Sequence, residues 1–178
     1  LIPVVEYSHL DALKQLTNAD WVPQTMTSKA IGRPGGLLVL RQCAFMQTGR
    51  AENFLTSNSP VSSFEADRRR FLGENEYGTW KMPFSLVDGR EFSNYEPLRG
   101  DNVGALMHHV GPLAPGEERR VIVQLGQVES VEKAMPLIER FREPEEVDAA
   151  FARMRPSWEE YLNLWSDENP GSQGVSRV

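Results

Sequence analysis

The residues best able to do chemistry lie together in one charged block. Residues 64–73 read Phe-Glu-Ala-Asp-Arg-Arg-Arg-Phe-Leu-Gly, so two acids and three arginines stand between apolar anchors. Charge packed this densely within a turn-rich region is not typical of a protein core. We therefore expect this charged block to face outward, as a polar rim that contacts a polyhydroxylated ligand or a neighbouring domain.

Two carboxylates of the block, Glu65 and Asp67, have a spacing that a glycosidase could use. In an extended strand they share one face, about 6.6 Å apart along the chain. Inverting glycosidases hold their two carboxylates roughly 6.5–9.5 Å apart. A general acid, however, needs an apolar site that keeps it protonated, whereas these acids stand beside Arg68 and its neighbours. A small glycosidase is therefore an alternative, which loss of hydrolysis in Glu65→Gln or Asp67→Asn would support.

Sugar contact accounts better for the composition of the block. Carboxylates and guanidinium groups form charge-assisted hydrogen bonds with hydroxyls, and aromatic rings cover the apolar face of a pyranose. Tyr77, Trp80 and Tyr95 lie near the block in sequence, although each alone is also compatible with a core or loop anchor. A free-standing carbohydrate-binding or scaffold β-module therefore stays open as an alternative function.

Other catalytic and metal-binding patterns are weak in this sequence. His108 and His109 are adjacent, so on a strand their side chains point to opposite faces. We expect one to be buried and hydrogen-bonded, the other to be solvated, and no metal site.

Cys43 lies in an apolar run, which predicts a buried, unreactive thiol. There is neither a Gly-x-Ser-x-Gly elbow nor a Gly-x-x-x-x-Gly-Lys phosphate loop, so we expect no catalytic residue and no cofactor.

Composition restricts the class of protein further. A net charge of −6 over 178 residues leaves no broad cationic surface for nucleic acid. No apolar run approaches the roughly 20 residues of a membrane helix, so we expect no membrane partner. The single cysteine excludes an internal disulfide and fits a reducing compartment, which predicts a cytoplasmic protein.

Alternating, turn-rich segments predict a mainly β region over residues 1–127. The predicted strands are residues 25–31, 37–46, 52–57, 104–110 and 119–125. A glycine-rich turn joins the first two as a hairpin. In the last strand Val121, Val123 and Leu125 alternate with their neighbours, which predicts that they form its buried face. Residues 8–20 are expected to form a loop with a short helical turn at 10–16.

From about residue 128 the apolar residues recur at the spacing typical of a helix. Ser130 is placed to cap a helix that reaches about Phe141, and Pro136 must kink that helix or delay its start. Pro144 opens another helix. Its apolar stripe consists of Val147, Phe151, Met154, Trp158, Tyr161 or Leu162, and Trp165. We expect a helical linker over 128–165, packed on its own sheet or on a missing partner, and a disordered tail over 166–178.

Several blocks resemble the inverting disaccharide phosphorylases, the family of cellobiose, chitobiose and cellobionic acid phosphorylases. The matching blocks are Phe64-Glu65-x-Asp67-Arg68-x-x-Phe71-Leu72-Gly73, Arg99-Gly100-Asp101-Asn102-x-x-Ala105-Leu106, Leu113-x-Pro115-Gly116-Glu117 and Gln124-Leu125-Gly126. The similarity runs from residue 1 to about 165. Residues 3–7 and 18–26 are most similar to the cellobionic acid branch.

The resemblance implies a large antiparallel β-sandwich, then linker α-helices, then a six-hairpin α/α barrel. This chain matches the second half of the sandwich and the linker, and it begins in mid-domain, so a targeting segment could precede it. In the family the barrel carries the general-acid aspartate and the phosphate pocket. We therefore expect this chain to be inactive alone, to need the missing barrel domain as a partner, and to form a homodimer.

In such enzymes inorganic phosphate attacks the anomeric carbon while a carboxylic acid protonates the leaving sugar. The resemblance thus implies a parent glycosyltransferase that converts a β-linked glucosyl disaccharide or aldonate into α-glucose 1-phosphate. Phosphate is its co-substrate. By the same match, Glu65, Asp67 and Arg68 would be substrate-binding residues that contact the sugar at the mouth of the barrel.

Overall fold

The computed structural model describes residues 1–6, 26–44, 51–73, 80–87, 89–99 and 102–168. Within these ranges the strands are β1 Val4–Glu6, β2 Met26–Arg33, β3 Leu37–Ala44, β4 Glu52–Ser57, β5 Ser63–Asp67, β6 Asn102–Met107 and β7 Val123–Val128. The helices are α1 Arg68–Leu72, α2 Phe84–Val87, α3 Val131–Arg140 and α4 Pro144–Glu168. The predicted fold class, antiparallel sheets followed by C-terminal helices, is confirmed. The predicted helical turn at 10–16 lies outside the described residues.

The strands form a three-stranded sheet, in the order β1-β6-β5, and a four-stranded sheet, in the order β2-β3-β4-β7. Every pair is antiparallel. The predicted hairpin is confirmed: β2 and β3 pair from Met26↔Ala44 to Arg33↔Leu37 around a 3₁₀ turn, Pro34–Gly36. Gly35 and Gly36 both have positive φ there, which explains why this turn uses glycine.

Three apolar clusters hold the compact unit Leu1–Ile138 together. The cluster between the sheets contains Leu40, Leu55, Phe64, Ala66 and Leu106. The cluster on the outer face of the three-stranded sheet contains Phe71, Leu72, Phe92, Val103, Ala105 and Met107. The third cluster joins the outer face of the four-stranded sheet to α3 and contains Leu37, Val39, Phe54, Val131, Met135 and Ile138. Successive strand residues alternate between clusters, as the period of two requires.

The prediction that Val123 and Leu125 lie on the buried face of β7 is wrong. Val123 and Leu125 are exposed, whereas Gln124, Gly126 and Val128 are partly buried. The face of β7 that carries Gly126 turns toward α3, and a Cβ at that glycine would lie 2.6 Å from the Phe54 ring. The strand also begins at Val123 instead of residue 119.

The first linker helix forms as the capping pattern predicts. The Ser130 hydroxyl accepts the Lys133 N–H at 3.5 Å, and the Glu52 carboxylate accepts the Val131 N–H at 2.7 Å. Helix α3 continues through Pro136, which lies inside it.

The second compact unit, Glu139–Val178, consists in its described part of the end of α3 and of α4. Helix α4 begins at Pro144 as predicted and passes through Pro156 to Glu168. It therefore extends beyond residue 165, where the sequence placed the end of the linker, and the rest of the predicted tail lies outside the described residues. No helix of the described ranges is long and apolar enough to span a membrane.

Candidate functional site

The charged block forms the end of β5 and the whole of α1. Asp67 is extended, and its Oδ1 accepts the Arg70 N–H at 2.9 Å, which caps the helix. Gly73 ends α1 with a φ of 91°, and its N–H donates to the Arg69 carbonyl at 2.8 Å. A Cβ at Gly73 would lie 2.8 Å from the Phe84 Cβ. The spacing from Asp67 to Gly73 therefore encodes one short, capped helix.

The expectation that the whole block faces outward is wrong for Glu65, which is 1% exposed. Its Oε1 accepts the backbone N–H groups of Ala66 at 3.0 Å and Asp67 at 3.2 Å. Its Oε2 accepts the Ser93 hydroxyl at 2.6 Å and the Ser93 N–H at 3.4 Å. Because four donors surround this buried carboxylate, Glu65 fixes the turn from β5 into α1.

The two carboxylates do not form the exposed pair that an uninterrupted strand predicts. The β5–β6 ladder is irregular between Glu65 and Asp67, and such an irregularity turns a side chain away from its expected direction. Glu65 is buried while Asp67 is partly exposed. The glycosidase alternative therefore lacks the paired geometry on which it depended.

The arginines of the block have separate environments. Arg68 lies with its Nε 2.5 Å from the Glu6 carboxylate of β1, and little of its side chain is exposed. Arg69 and Arg70 are exposed. The Arg70 guanidinium lies 4.2 Å from the centre of the Tyr95 ring, a cation–π contact that holds both groups at the surface.

A cavity of about 920 Å³ opens beside this arrangement. Its polar wall includes Glu65, Asp67, Arg69, Arg70, Glu91 and Tyr95. Its apolar wall includes Met82, Phe84 and Phe92. A mostly apolar concavity with convergent polar groups, at the upper end of the size range of small-molecule sites, suits a sugar-sized ligand.

The aromatic residues suggested for sugar stacking differ in their positions. Tyr95 lines the cavity and is exposed. Trp80 packs against Phe71, with 5.6 Å between ring centres, and does not line the cavity. Tyr77 lies outside the described residues.

This geometry occurs in a chain that matches a known domain family. Residues 1–144 match the family described as glycosyl hydrolase 94, supersandwich domain. The chain belongs to this family. Its membership supports the resemblance at the level of the glycosyl hydrolase 94 phosphorylases and indicates part of a glycoside phosphorylase of carbohydrate metabolism. No curated protein matches the chain.

The supersandwich domain also carries a polar cluster that the sequence did not reveal. The Ser63 hydroxyl donates to Glu91 Oε2 at 2.5 Å, and His109 contacts Glu91 Oε1. The hydrogen bond from Ser63, followed by that from His109, lowers the pKa of Glu91. Ser63 and Glu91 lie 28 residues apart, so no local pattern could have identified the cluster.

The remaining candidates of the supersandwich domain are structural. His108 is buried between the Ser57 hydroxyl at 3.2 Å and the Pro60 carbonyl at 2.8 Å, whereas His109 is exposed; both expectations are confirmed. Cys43 is buried as predicted, and burial raises the pKa of its thiol. Among the described residues no three His, Cys, Asp or Glu side chains lie together as metal ligands would.

Proposed function

We propose that this chain is the non-catalytic supersandwich and linker part of an inverting phosphorylase. The complete enzyme transfers the glucosyl group of a β-linked disaccharide or aldonate to inorganic phosphate. A phosphate oxygen forms the new bond to C1, the glycosidic C–O bond breaks, and a carboxylic acid gives its proton to the leaving oxygen. The products are α-glucose 1-phosphate and the released sugar or aldonate. The supersandwich match over residues 1–144 carries this proposal.

The environments of the acids at the cavity support a non-catalytic role. The Glu65 oxygens accept hydrogen bonds from backbone N–H groups and from Ser93, and Asp67 Oδ1 caps α1. A general acid must present a protonated oxygen to the leaving group. Because these oxygens are engaged in holding the chain, we assign the general acid to the α/α-barrel domain.

The cavity gives the domain a role at the substrate. Asp67, Arg70 and Tyr95 present a carboxylate, a guanidinium and an aromatic ring around one concave surface. Together they can bond sugar hydroxyls and cover a pyranose face. We propose that Asp67 contacts the sugar directly. Arg68, through its ion pair with Glu6, and buried Glu65, through its hydrogen bonds to the backbone and Ser93, hold this surface in position. The similarity of residues 3–7 and 18–26 to the cellobionic acid branch supports an aldonate as the released product.

The exposed stripe of α4 supports a linker that packs against a further domain. Phe151, Met154, Trp158 and Tyr161 recur at steps of three and four and are all exposed. Large apolar patches of this kind mark surfaces that bind another protein or domain. We propose that the α/α barrel covers this stripe.

Phosphorolysis provides the test. The isolated chain, and a joined protein that contains this chain together with the rest of the sandwich and an α/α barrel, are each incubated with cellobionate, with and without phosphate. We expect α-glucose 1-phosphate only from the joined protein and only with phosphate. Turnover by the isolated chain, or phosphate-independent hydrolysis by the joined protein, would contradict the proposal.

A paired variant tests the role of the cavity. In the joined enzyme, Tyr95→Ala removes the exposed ring, and we expect KM for cellobionate to rise at least about fivefold with little change in kcat, since stacking on a sugar contributes on the order of 1 kcal/mol. Leu98→Ala, an exposed apolar residue that does not line the cavity, is the control. Binding of cellobionate by the chain alone, with an affinity independent of phosphate, would instead favour the carbohydrate-binding module.

A further inference from the structure

The carboxylates that line the cavity beside α1 are already engaged within the domain. Both oxygens of Glu65 accept hydrogen bonds from the chain. Glu91 accepts the Ser63 hydroxyl on Oε2 and contacts His109 through Oε1. Two of the three described carboxylates on the wall therefore have both oxygens occupied before any ligand arrives.

Asp67 and Arg70 on the same wall keep capacity to bind a ligand. Asp67 uses Oδ1 to accept the Arg70 backbone N–H, so its Oδ2 can accept a ligand hydroxyl. The Arg70 guanidinium carbon lies 4.2 Å from the centre of the Tyr95 ring. Within the part of the chain that the structure describes, no carboxylate pairs with the Arg70 side chain.

The Tyr95 ring leaves the edge of the Arg70 guanidinium available. A guanidinium that lies over an aromatic ring covers one face of its plane, while its N–H donors project from the edge. That edge matches the two oxygens of a carboxylate, which accept a pair of parallel, charge-assisted hydrogen bonds. Arg70 is exposed on the wall of a cavity of about 920 Å³, so it is suited to bind a ligand carboxylate there.

The structure holds both members of this pair in place. Tyr95 lies between Asn94, which exchanges hydrogen bonds with Phe64, and Glu96, whose Oε1 accepts a backbone N–H of β2 at 2.8 Å. Arg70 belongs to the capped helix α1. Because their backbones are fixed before a ligand binds, less free energy is lost in ordering them when the ligand arrives.

We propose that the cavity binds a sugar that carries a carboxylate, and that Arg70 selects this sugar over its neutral counterpart. The carboxylate accepts hydrogen bonds from the Arg70 edge, and a hydroxyl donates to Asp67 Oδ2. Met82 and Phe84, which are apolar, exposed and line the same cavity, cover the C–H groups of the ligand. Aldonates and uronates share this chemistry. The inference deepens the sugar-contacting role proposed for the cavity and rests on it.

Ligand titration of the full chain, by isothermal titration calorimetry and heteronuclear NMR, tests the selection. The probes are two matched pairs, gluconate with glucitol and glucuronate with glucose, in which a carboxylate replaces one hydroxymethyl group. We expect the acid of at least one pair to bind at least about tenfold more tightly than its neutral partner, because hydrogen bonds to charged groups contribute more than neutral ones. The pair that shows the difference identifies the ligand as an aldonate or a uronate.

Variants assign the preference to Arg70. Arg70→Gln removes the charge and should reduce the preference to less than about twofold, whereas Arg70→Lys keeps the charge without the two-pronged edge and should retain only part of it. Arg33→Gln is the matched control, because Arg33 is exposed and does not line the cavity, and it should leave the preference unchanged. Since the Arg70 side chain is exposed and α1 is capped through the backbone N–H, the variants should keep the wild-type circular dichroism spectrum.

Three results would overturn the inference: equal affinity for acid and neutral sugar in both pairs, a preference that survives Arg70→Gln, or a preference that Arg33→Gln abolishes equally. Absence of all binding would overturn it together with the sugar-contacting role of the cavity. The phosphate dependence of the joined protein is measured separately, so each of these results leaves the assignment to a phosphorylase standing.

Discussion

The Ser93 hydroxyl lies 2.6 Å from Glu65 Oε2, and this contact joins the charged block to segment 91–97. The same segment carries Glu91 and Tyr95, which line the cavity. The buried carboxylate therefore sets the position of two parts of the candidate site at once: the start of α1 and segment 91–97.

Replacing Glu65 with Gln should destabilise the fold. The amide nitrogen cannot accept, so at least one of the donors from Ala66, Asp67 or Ser93 loses its partner in a buried site. We expect the free energy of unfolding in urea to fall by about 1.5–3 kcal/mol. The control is Glu118→Gln at an exposed position, which should change it by less than about 0.5 kcal/mol. Equal effects of the two substitutions would show that Glu65 is not a structural anchor.

The lowered pKa of Glu91 predicts a change of stability with acid. A carboxyl whose pKa is lower in the folded state stabilises the fold above its unfolded pKa of about 4.3, and this stabilisation is lost as the pH falls through the folded pKa. Carboxyl NMR titration should show the Glu91 pKa rising in Ser63→Ala, which removes the largest cause, and also in His109→Ala, which removes a second hydrogen bond. An unchanged Glu91 pKa in Ser63→Ala would contradict this assignment.

Gly126 should not tolerate a methyl group. An added Cβ would lie 2.6 Å and 2.7 Å from two atoms of the Phe54 ring, which belongs to the cluster under α3. Gly126→Ala should therefore lower the free energy of unfolding by about 1–3 kcal/mol. Gly32→Ala is the matched control in β2, where no atom lies within 4 Å of the added Cβ. It should leave stability unchanged or raise it by up to about 1 kcal/mol.

Asn94 holds the β5 edge in an unusual backbone conformation. Its φ is 53°, and its Oδ1 accepts the Phe64 N–H at 2.8 Å. Asn94→Ala loses the acceptor and strains the backbone, so it should lower the free energy of unfolding by about 1–3 kcal/mol. Asn94→Gly should be less damaging, because glycine accepts the positive φ, and Asn94→Asp should be the mildest. If glycine and alanine were equally damaging in thermal unfolding, backbone strain would contribute nothing at this position.

Local chemistry made much of the fold predictable from the sequence. Gly35 and Gly36 identified the β2–β3 hairpin, and Ser130 and Pro144 identified the starts of α3 and α4. These signals act within a few residues, through positive φ, capping or a missing N–H, so a single sequence contains them in full.

The missed features depend on contacts between distant residues. Glu65 reads as a surface charge because its partner Ser93 is 28 residues away. Alternation in β7 correctly separates Leu125 from Gln124, but it cannot say which face the rest of the molecule covers. That choice depends on α3, which packs over the face that carries Gln124 and Val128, and no pattern within β7 records this packing. The candidate site was located by its charge, while its division into buried and exposed members required the fold.

The buried His108 ring contacts the segment between β4 and β5, where the chain crosses from one sheet to the other. A carbonyl oxygen can only accept, so Nδ1 must carry a hydrogen toward Pro60, and a neutral ring leaves Nε2 to receive the Ser57 hydroxyl. One buried ring therefore ties the end of β4 at Ser57 to the loop at Pro60, and the tautomer that makes both contacts holds the crossover between the two sheets.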